Sequence, residues 1–402
     1  MMAIPRKPED ITADWLASVL GTAVTAVEVT AIGTGQTGAT YRATATYPTD
    51  RPDVPNTFAV KLPALDDAVR ERVALGYLSE VEFYSTLTKH VAIPVPGCFH
   101  SEISSDGMDF VLLMADMAPA VQGDQIAGCT AAEAVLAVEA LAGLHGPSWR
   151  DRRWFDLSSI VMPKPGDADA AKGLGDIAVM AADITLDKLG GKVSDEDRAT
   201  LTSSMGLVAP WLMAEPDRFS LMHGDYRLDN LLFDPERTRV TVVDWQTIGL
   251  GLPARDLAYF TATSLLPDDR ASLERDLVER YHRTLVGYGV AGYDIETCWQ
   301  DYRLGVLQAP LLTTLGYAFA ASIGTFVPSA RATISSSATS RWMTASRGIA
   351  CSTDRGKPSR MKFSRPLRSS LTSSATKAAG TRSPLSIYFL RSRPRRVSLA
   401  TS

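Results

Sequence analysis

An α+β chain of two lobes, a small antiparallel sheet carrying one helix and then a mostly helical body, is predicted by three observations. Early segments alternate apolar and polar residues around a glycine-rich turn, later ones repeat apolar residues at helical spacing, and a compact strand-and-loop stretch, Phe219 to Phe260, interrupts the helices. The length, 402 residues, exceeds the roughly 100 to 200 of one domain and favours two packed units.

Taken in order, Ile11 to Leu20 is amphipathic, and Val24 to Tyr47 gives two strands flanking "GTGQTG". Thr57 to Leu62 is a third strand carrying Lys61 near its end. Asp66 to His90 places Val73, Leu78, Val81 and Tyr84 at helical spacing until Pro94 and Pro96 stop the pattern. Asp109 to Met117, "DFVLLMADM", is a short apolar run that fits a buried strand leading into a connector. Beyond Gly123 the texture is helical: Thr130 and Glu133 form a capping box ahead of a helix that ends at Gly146-Pro147. Further helices are predicted at Gly175 to Leu189, Asp195 to Leu212, Ala271 to Tyr288 and Ile295 to Leu315. The resulting division is 1–117, 118–328 and a tail, 329–402.

Composition narrows the class. Nearly half the residues are apolar (45%) and 21% charged, and no apolar run approaches the roughly 20 residues of a spanning helix, so a soluble chain without a membrane span is expected. The N-terminus has no signal-type apolar run, which points to the cytoplasm. Cys98, Cys129, Cys298 and Cys351 lack C-x-x-C pairing and are read as buried thiols. The net charge of −4 hides an asymmetry: from Arg331 onward there are 15 Lys and Arg against Asp354 alone, leaving 26 basic against 44 acidic residues before it. That Ser-rich tail has no sustained period and is expected to be disordered. It is a basic arm for nucleic acid or membrane, or else a solvated tail or a non-native extension from a shifted reading frame. The charge run by itself specifies no partner, so no nucleic acid is expected.

The chemistry-bearing residues follow one another in a meaningful order. Gly33, Gly35 and Gly38 match G-x-G-x-x-G, a pattern shared by dinucleotide folds and phosphate-covering loops. A dinucleotide fingerprint must open a helix, whereas "ATYRATATY" follows here and alternates like a strand, so the hairpin is the better reading, with glycines that let backbone N–H groups approach phosphate. Lys61 in "FAVKLP" is a partly desolvated cation suited to phosphates. Glu80 on the next helix is the favoured partner for its amine; Glu82, on a different face, is the rival. In "LMHGDYRLDNLLFD", Asp225 and Asn230 stand five residues apart, the spacing of the catalytic loop H-R-D-x-x-x-x-N, and Asp244 ends the apolar strand "RVTVVDWQ". One Asp and one Asn supply the hard oxygens Mg²⁺ prefers, which leaves Asp225 for the nucleophile. Arg227 is placed either to neutralise the transferred phosphate or to form a surface salt bridge.

With "HGDYRLDNLLFD" and "VVDWQTIGLGLPARDLAYF" in place, the chain resembles the aminoglycoside phosphotransferase and choline kinase-like family, including its ecdysteroid-kinase-like branch, over Ile11 to Phe326. The resemblance implies a two-lobed protein-kinase-like fold and transfer of the γ-phosphoryl group of ATP to a small hydroxylated acceptor. In its terms Asp225 is the base, Asn230 and Asp244 hold Mg²⁺, Lys61 binds the ATP phosphates, and His223 braces the loop. It also makes Ala115, Asp116 and Met117 the connector that meets adenine through its backbone, and Asp256 a structural support of the loop. Trp245-Gln246 stand where protein kinases have Phe-Gly, and A-P-E is absent, so protein kinase activity is not expected. Three rivals remain at this stage: a catalytically silent kinase-like module, a nucleic-acid-associated protein acting through its tail, and a dehydrogenase. Oligomeric state is not specified.

Overall fold

A computed structural model describes residues 3–33 and 38–320. Gly35, Cys351 and the basic tail lie outside the described residues. Helix α1 (Ala13–Leu20) is N-capped by Thr12, which accepts from the Trp15 N–H, and ends at Gly21. Strands β1 (Ala26–Gly33), β2 (Gly38–Thr46) and β3 (Thr57–Pro63) are followed by α2 (Asp67–Ser85), β4 (Cys98–Ile103) and β5 (Phe110–Ala115). They form one sheet of order β1-β2-β3-β5-β4, antiparallel throughout.

The pleat explains why β5 is a continuous apolar run. Val111 and Leu113 project to one face and pack with Trp15 and Leu16 of α1, while Phe110, Leu112 and Met114 project to the other and join a core containing Tyr77 and Tyr84 of α2. A strand covered on both faces has no polar side to alternate. Burying each of these large side chains contributes about 1.5–3 kcal/mol.

The rest of the described chain is mainly helical. It comprises β6 (Val121–Gln122), α3 (Ala131–His145), α4 (Ala168–Leu189), α5 (Asp195–Gly206), α6 (Val208–Leu212), β7 (Ser220–Met222), β8 (Leu231–Phe233), β9 (Val240–Val242), β10 (Gly249–Gly251), α7 (Ala254–Ser264), α8 (Pro267–Gly287), α9 (Ile295–Gly305) and α10 (Gln308–Ala320). The short strands form β6-β8-β9 and β7-β10 ladders. The Thr130–Glu133 capping box is present at the start of α3. No described helix is long and apolar enough to cross a membrane.

Several sequence expectations are corrected. Asp167 caps α4 at Ala168, ahead of Gly175. The helix expected over 195–212 breaks at Leu207, and that over 295–315 breaks between α9 and α10. Helix α7 lies inside the stretch read as strand and loop; residues 254–262 are all buried, so no apolar–polar period marks it. Asp244 stands beyond β9, which stops at Val242, and has φ 66. Of the described cysteines Cys298 is buried, whereas Cys98 and Cys129 are only half-buried.

One contiguous core joins α2 and β5 to the helical body. At its centre the rings of Phe83 and Trp245 stack with centroids 3.6 Å apart and planes within 8°. This stack ties α2, the helix carrying Glu80, to the segment carrying Asp244.

Candidate active site

Lys61 is an inward residue of β3, flanked across the ladder by Thr40 and Leu112. Its amine lies 2.8 Å from Glu80 Oε1, 2.7 Å from Glu80 Oε2 and 3.2 Å from Asp244 Oδ1. Glu80 is therefore the partner; Glu82 instead accepts a hydrogen bond from the Ser159 hydroxyl. Burial disfavours the Lys61 ammonium, but the carboxylates of Asp244 and Glu80 outweigh it and raise its pKa above the ordinary value. Burial likewise pushes Glu80 up against the pull of Lys61. Asp244, with 43% of its side chain exposed, lies below the usual range: burial works to raise it, and Lys61 more than compensates. The three groups form a buried cation braced by one buried and one open carboxylate.

Asp225 sits in the turn after β7. Gly224 precedes it at φ 83, and a Cβ there would run into the main-chain oxygen of Thr247, so this position requires glycine. Asp256, fully buried at the first turn of α7, accepts from the main-chain N–H of His223 at 2.6 Å and of Gly224 at 3.1 Å. His223 Nε2–H donates to the Val243 carbonyl at 3.1 Å while Nδ1 accepts from the Asp225 N–H at 3.3 Å. Those partners settle the tautomer and lock the loop to the strand end before Asp244.

The Asp225 carboxylate receives three donors. Tyr259 O–H donates to Oδ1 at 3.0 Å; Arg227 Nε at 3.1 Å and Asn230 Nδ2 at 3.2 Å both donate to Oδ2. Arg227 also pairs with Asp229 at 2.6 Å, so it bridges two loop carboxylates. Val243 N–H donates to the Asn230 carbonyl at 3.0 Å, which sets Asn230 beside the approach to Asp244. Asp244 and Asn230 carry hard oxygens, and no cluster of three or more His, Cys, Asp or Glu suited to a metal occurs among the described residues.

The connector is anchored as well. Ala115 pairs with Phe58, and Asp116 accepts from Arg42 Nε at 2.6 Å and Nη2 at 3.1 Å, tying it to β2 and holding its carboxyl below the usual range. A cavity of about 650 Å³ borders Asp116 and Met117, α3 and the β8–β9 turn, but touches none of Lys61, Asp225, Asn230 or Asp244. The chemistry, not that cavity, marks the site.

Thus Lys61, Glu80 and Asp244 form one group, and His223, Asp225, Arg227 and Asn230 another, joined through Val243. Gly33 ends β1 and Gly38 begins β2. Tyr259 and Arg42 were not singled out from the sequence. Tyr259 lies in "RDLAYF", three residues after Asp256 and hence on the same helical face, a spacing that could have flagged it.

Comparison with known proteins agrees with this geometry. A model of the phosphotransferase enzyme family, APH, matches residues 28–294. Among solved structures, a candidate aminoglycoside phosphotransferase from Ralstonia eutropha aligns with TM-score 0.51 at 18% identity, covering 85% of this chain and 97% of that one. Choline kinase from Cryptosporidium parvum aligns with TM-score 0.53 at 11% identity, covering 81% and 89%. Among curated sequences, acyl-CoA dehydrogenase family member 10 of Mus musculus is 43% identical over 77 residues, and family member 11 of Gallus gallus is 27% identical over 206. Those matches cover 17% and 48% of this chain and only 7% and 23% of the relatives. The structural likeness shows a kinase-like fold, and the family match, which spans both groups of site residues and most of the sequence, shows that the chain belongs to the phosphotransferase enzyme family.

Proposed function

We propose that the chain transfers the γ-phosphoryl group of ATP to a hydroxyl of a small molecule, with Asp225 as the base. The observation that carries this reading is the carboxylate of Asp225: two donors fill the lone pairs of Oδ2, and one neutral donor leaves a lone pair of Oδ1 for an incoming hydroxyl proton. The donor set fits a magnesium nucleotide, since Asp244 presents a hard oxygen next to a Lys61 ammonium fixed by Glu80, and Asn230 adds another from the segment joined to it through Val243. When bound, ATP supplies the phosphoryl group and its magnesium the charge neutralisation.

The chain's own residues have separable tasks. Lys61 presents a permanent positive charge to phosphate oxygens, Asp225 orients the acceptor hydroxyl and takes its proton, and Arg227 offsets charge developing beside it. Positioning and charge do most of the work in such a transfer. The hairpin glycines Gly33, Gly35 and Gly38 cover the phosphates, and the backbone of Ala115, Asp116 and Met117 meets the base, with the lobes dividing at Met117. The acceptor is a small hydroxylated compound such as an aminoglycoside, a choline-like amine or a hydroxylated steroid.

Magnesium-dependent transfer from labelled ATP across those acceptor classes, macrolides included, tests the reading. Asp225→Ala is expected to lose at least about a hundredfold in turnover. ATP binding with no transfer to any acceptor, unchanged in Asp225→Ala, would favour the silent nucleotide-binding module instead.

A further inference from the structure

Beneath the catalytic loop, two buried polar atoms have no hydrogen-bond partner: Nε of Arg255 in α7 and Oε1 of Gln308 in α10. Both residues are almost fully buried, at 5% and 1% exposure. Both border the same small cavity, otherwise closed mainly by Met162, Pro163, Met222 and Leu250, with a volume of about 10 Å³. That is close to the space of a single water molecule. Other polar atoms of the two side chains are engaged. Arg255 Nη2 donates to the carbonyls of Trp211 at 2.9 Å and Leu212 at 3.4 Å, with the guanidinium 4.1 Å from the Trp211 ring centroid, and Gln308 Nε2 donates to the Gly224 carbonyl at 3.4 Å.

We infer that this cavity is the seat of one ordered water, which accepts from Arg255 Nε–H, donates to Gln308 Oε1, and so joins α7 to α10 directly under Gly224. The chemistry selects water over other small occupants. A halide would face the lone pairs of the Gln308 oxygen, a metal cation would face the guanidinium, and an apolar guest would leave both atoms unpaired. Exchanging the two ends of the Gln308 amide would only set its oxygen against the Gly224 carbonyl, so the acceptor belongs on the cavity side. Burial pulls the Arg255 guanidinium down to about 10, opposed by Asp256, and it stays charged at neutral pH with no carboxylate bonded to it among the described residues. Its Nε–H therefore has strong need of a partner. Gln308 lies beyond the 28–294 span of the family match, so this clamp recruits a later helix to position the catalytic loop.

Two experiments decide the matter. Crystals of the full chain diffracting well enough to show ordered solvent are expected to have one peak within hydrogen-bond distance of both atoms. A dry cavity, a direct Arg255–Gln308 bond, or an anomalous peak there after a bromide soak would each overturn the inference. The second test is Gly249→Ala. Gly249 lines the cavity, and a Cβ on it would meet Met222 Cβ at 3.8 Å and Met162 Cβ at 3.9 Å, ordinary contacts. A methyl group that merely filled a dry void in a strand would raise the thermal midpoint. Displacing a bonded water is expected to lower it and to speed hydrogen exchange in the 220–226 peptide; a raised or unchanged midpoint would refute the water site.

Discussion

Asp256→Asn isolates how much of the position of the loop carrying Asp225 rests on one buried carboxylate. The substitution preserves shape, so no cavity term enters. It replaces one acceptor oxygen by an NH₂ group facing a main-chain N–H, at either His223 or Gly224. A hydrogen bond to a charged group is worth about 1.5–3 kcal/mol, and a buried N–H left unpaired costs a similar amount, with the neighbouring loop relaxing part of it. The expected loss is on the order of 3 kcal/mol. At about 2–3 °C per kcal/mol for a chain of this size, the thermal midpoint should fall by roughly 6–9 °C. Thermal unfolding followed by circular dichroism, checked by urea titration, measures it. A midpoint within about 2 °C of the parent protein would show that His223 and Gly224 hold their places without Asp256, and the account of the loop given above would be wrong.

Tyr259→Phe removes one donor from Asp225 Oδ1; turnover should fall about tenfold with KM for ATP unchanged, and an equal rise in KM would deny Tyr259 its role at the acceptor side. Gly224→Ala should lower the thermal midpoint more than any other single change in the loop, because left-handed backbone adds about 1–2 kcal/mol to a main-chain collision; a midpoint equal to that of the parent would contradict the fit at this turn. Glu80→Gln leaves the buried Lys61 with Asp244 alone and should cost about 2 kcal/mol by urea unfolding while weakening nucleotide binding. His145 is pulled below its usual pKa by burial, against the bond from its Nε2 to Asp256. Its contribution to stability is therefore complete above about pH 6.5 and lost as pH falls toward the lowered folded value. Midpoints measured across that window should decline less steeply with acid in His145→Gln; identical slopes would place the titration elsewhere.

What could be read from sequence, and what could not, follows from where each signal resides. The hairpin, β3, α2 and β5 each carry a local period or turn, and the spacing of Asp225, Asn230 and Asp244 is a short-range property of one chain segment. Glu80 and Glu82 were separable only by face, and the tertiary pairing with Lys61 decided between them. α7 was illegible for a physical reason: a helix buried all round displays no stripe, so Ala254 to Ala262 could not announce themselves. Tyr259, Arg42 and Gln308 act on residues 34, 74 and 84 positions away, and nothing local records such contacts.

The Phe83–Trp245 stack has a consequence for control. Trp245 is wholly buried, and turning Asp244 out of the cluster would drag that indole from its seat against Phe83, at a cost comparable to the roughly 3–5 kcal/mol of deleting a core tryptophan. The carboxylate next to Lys61 is therefore held in a ready state before any ligand arrives. In a phosphotransferase built this way, a backbone turn that carried that segment outward would break core packing.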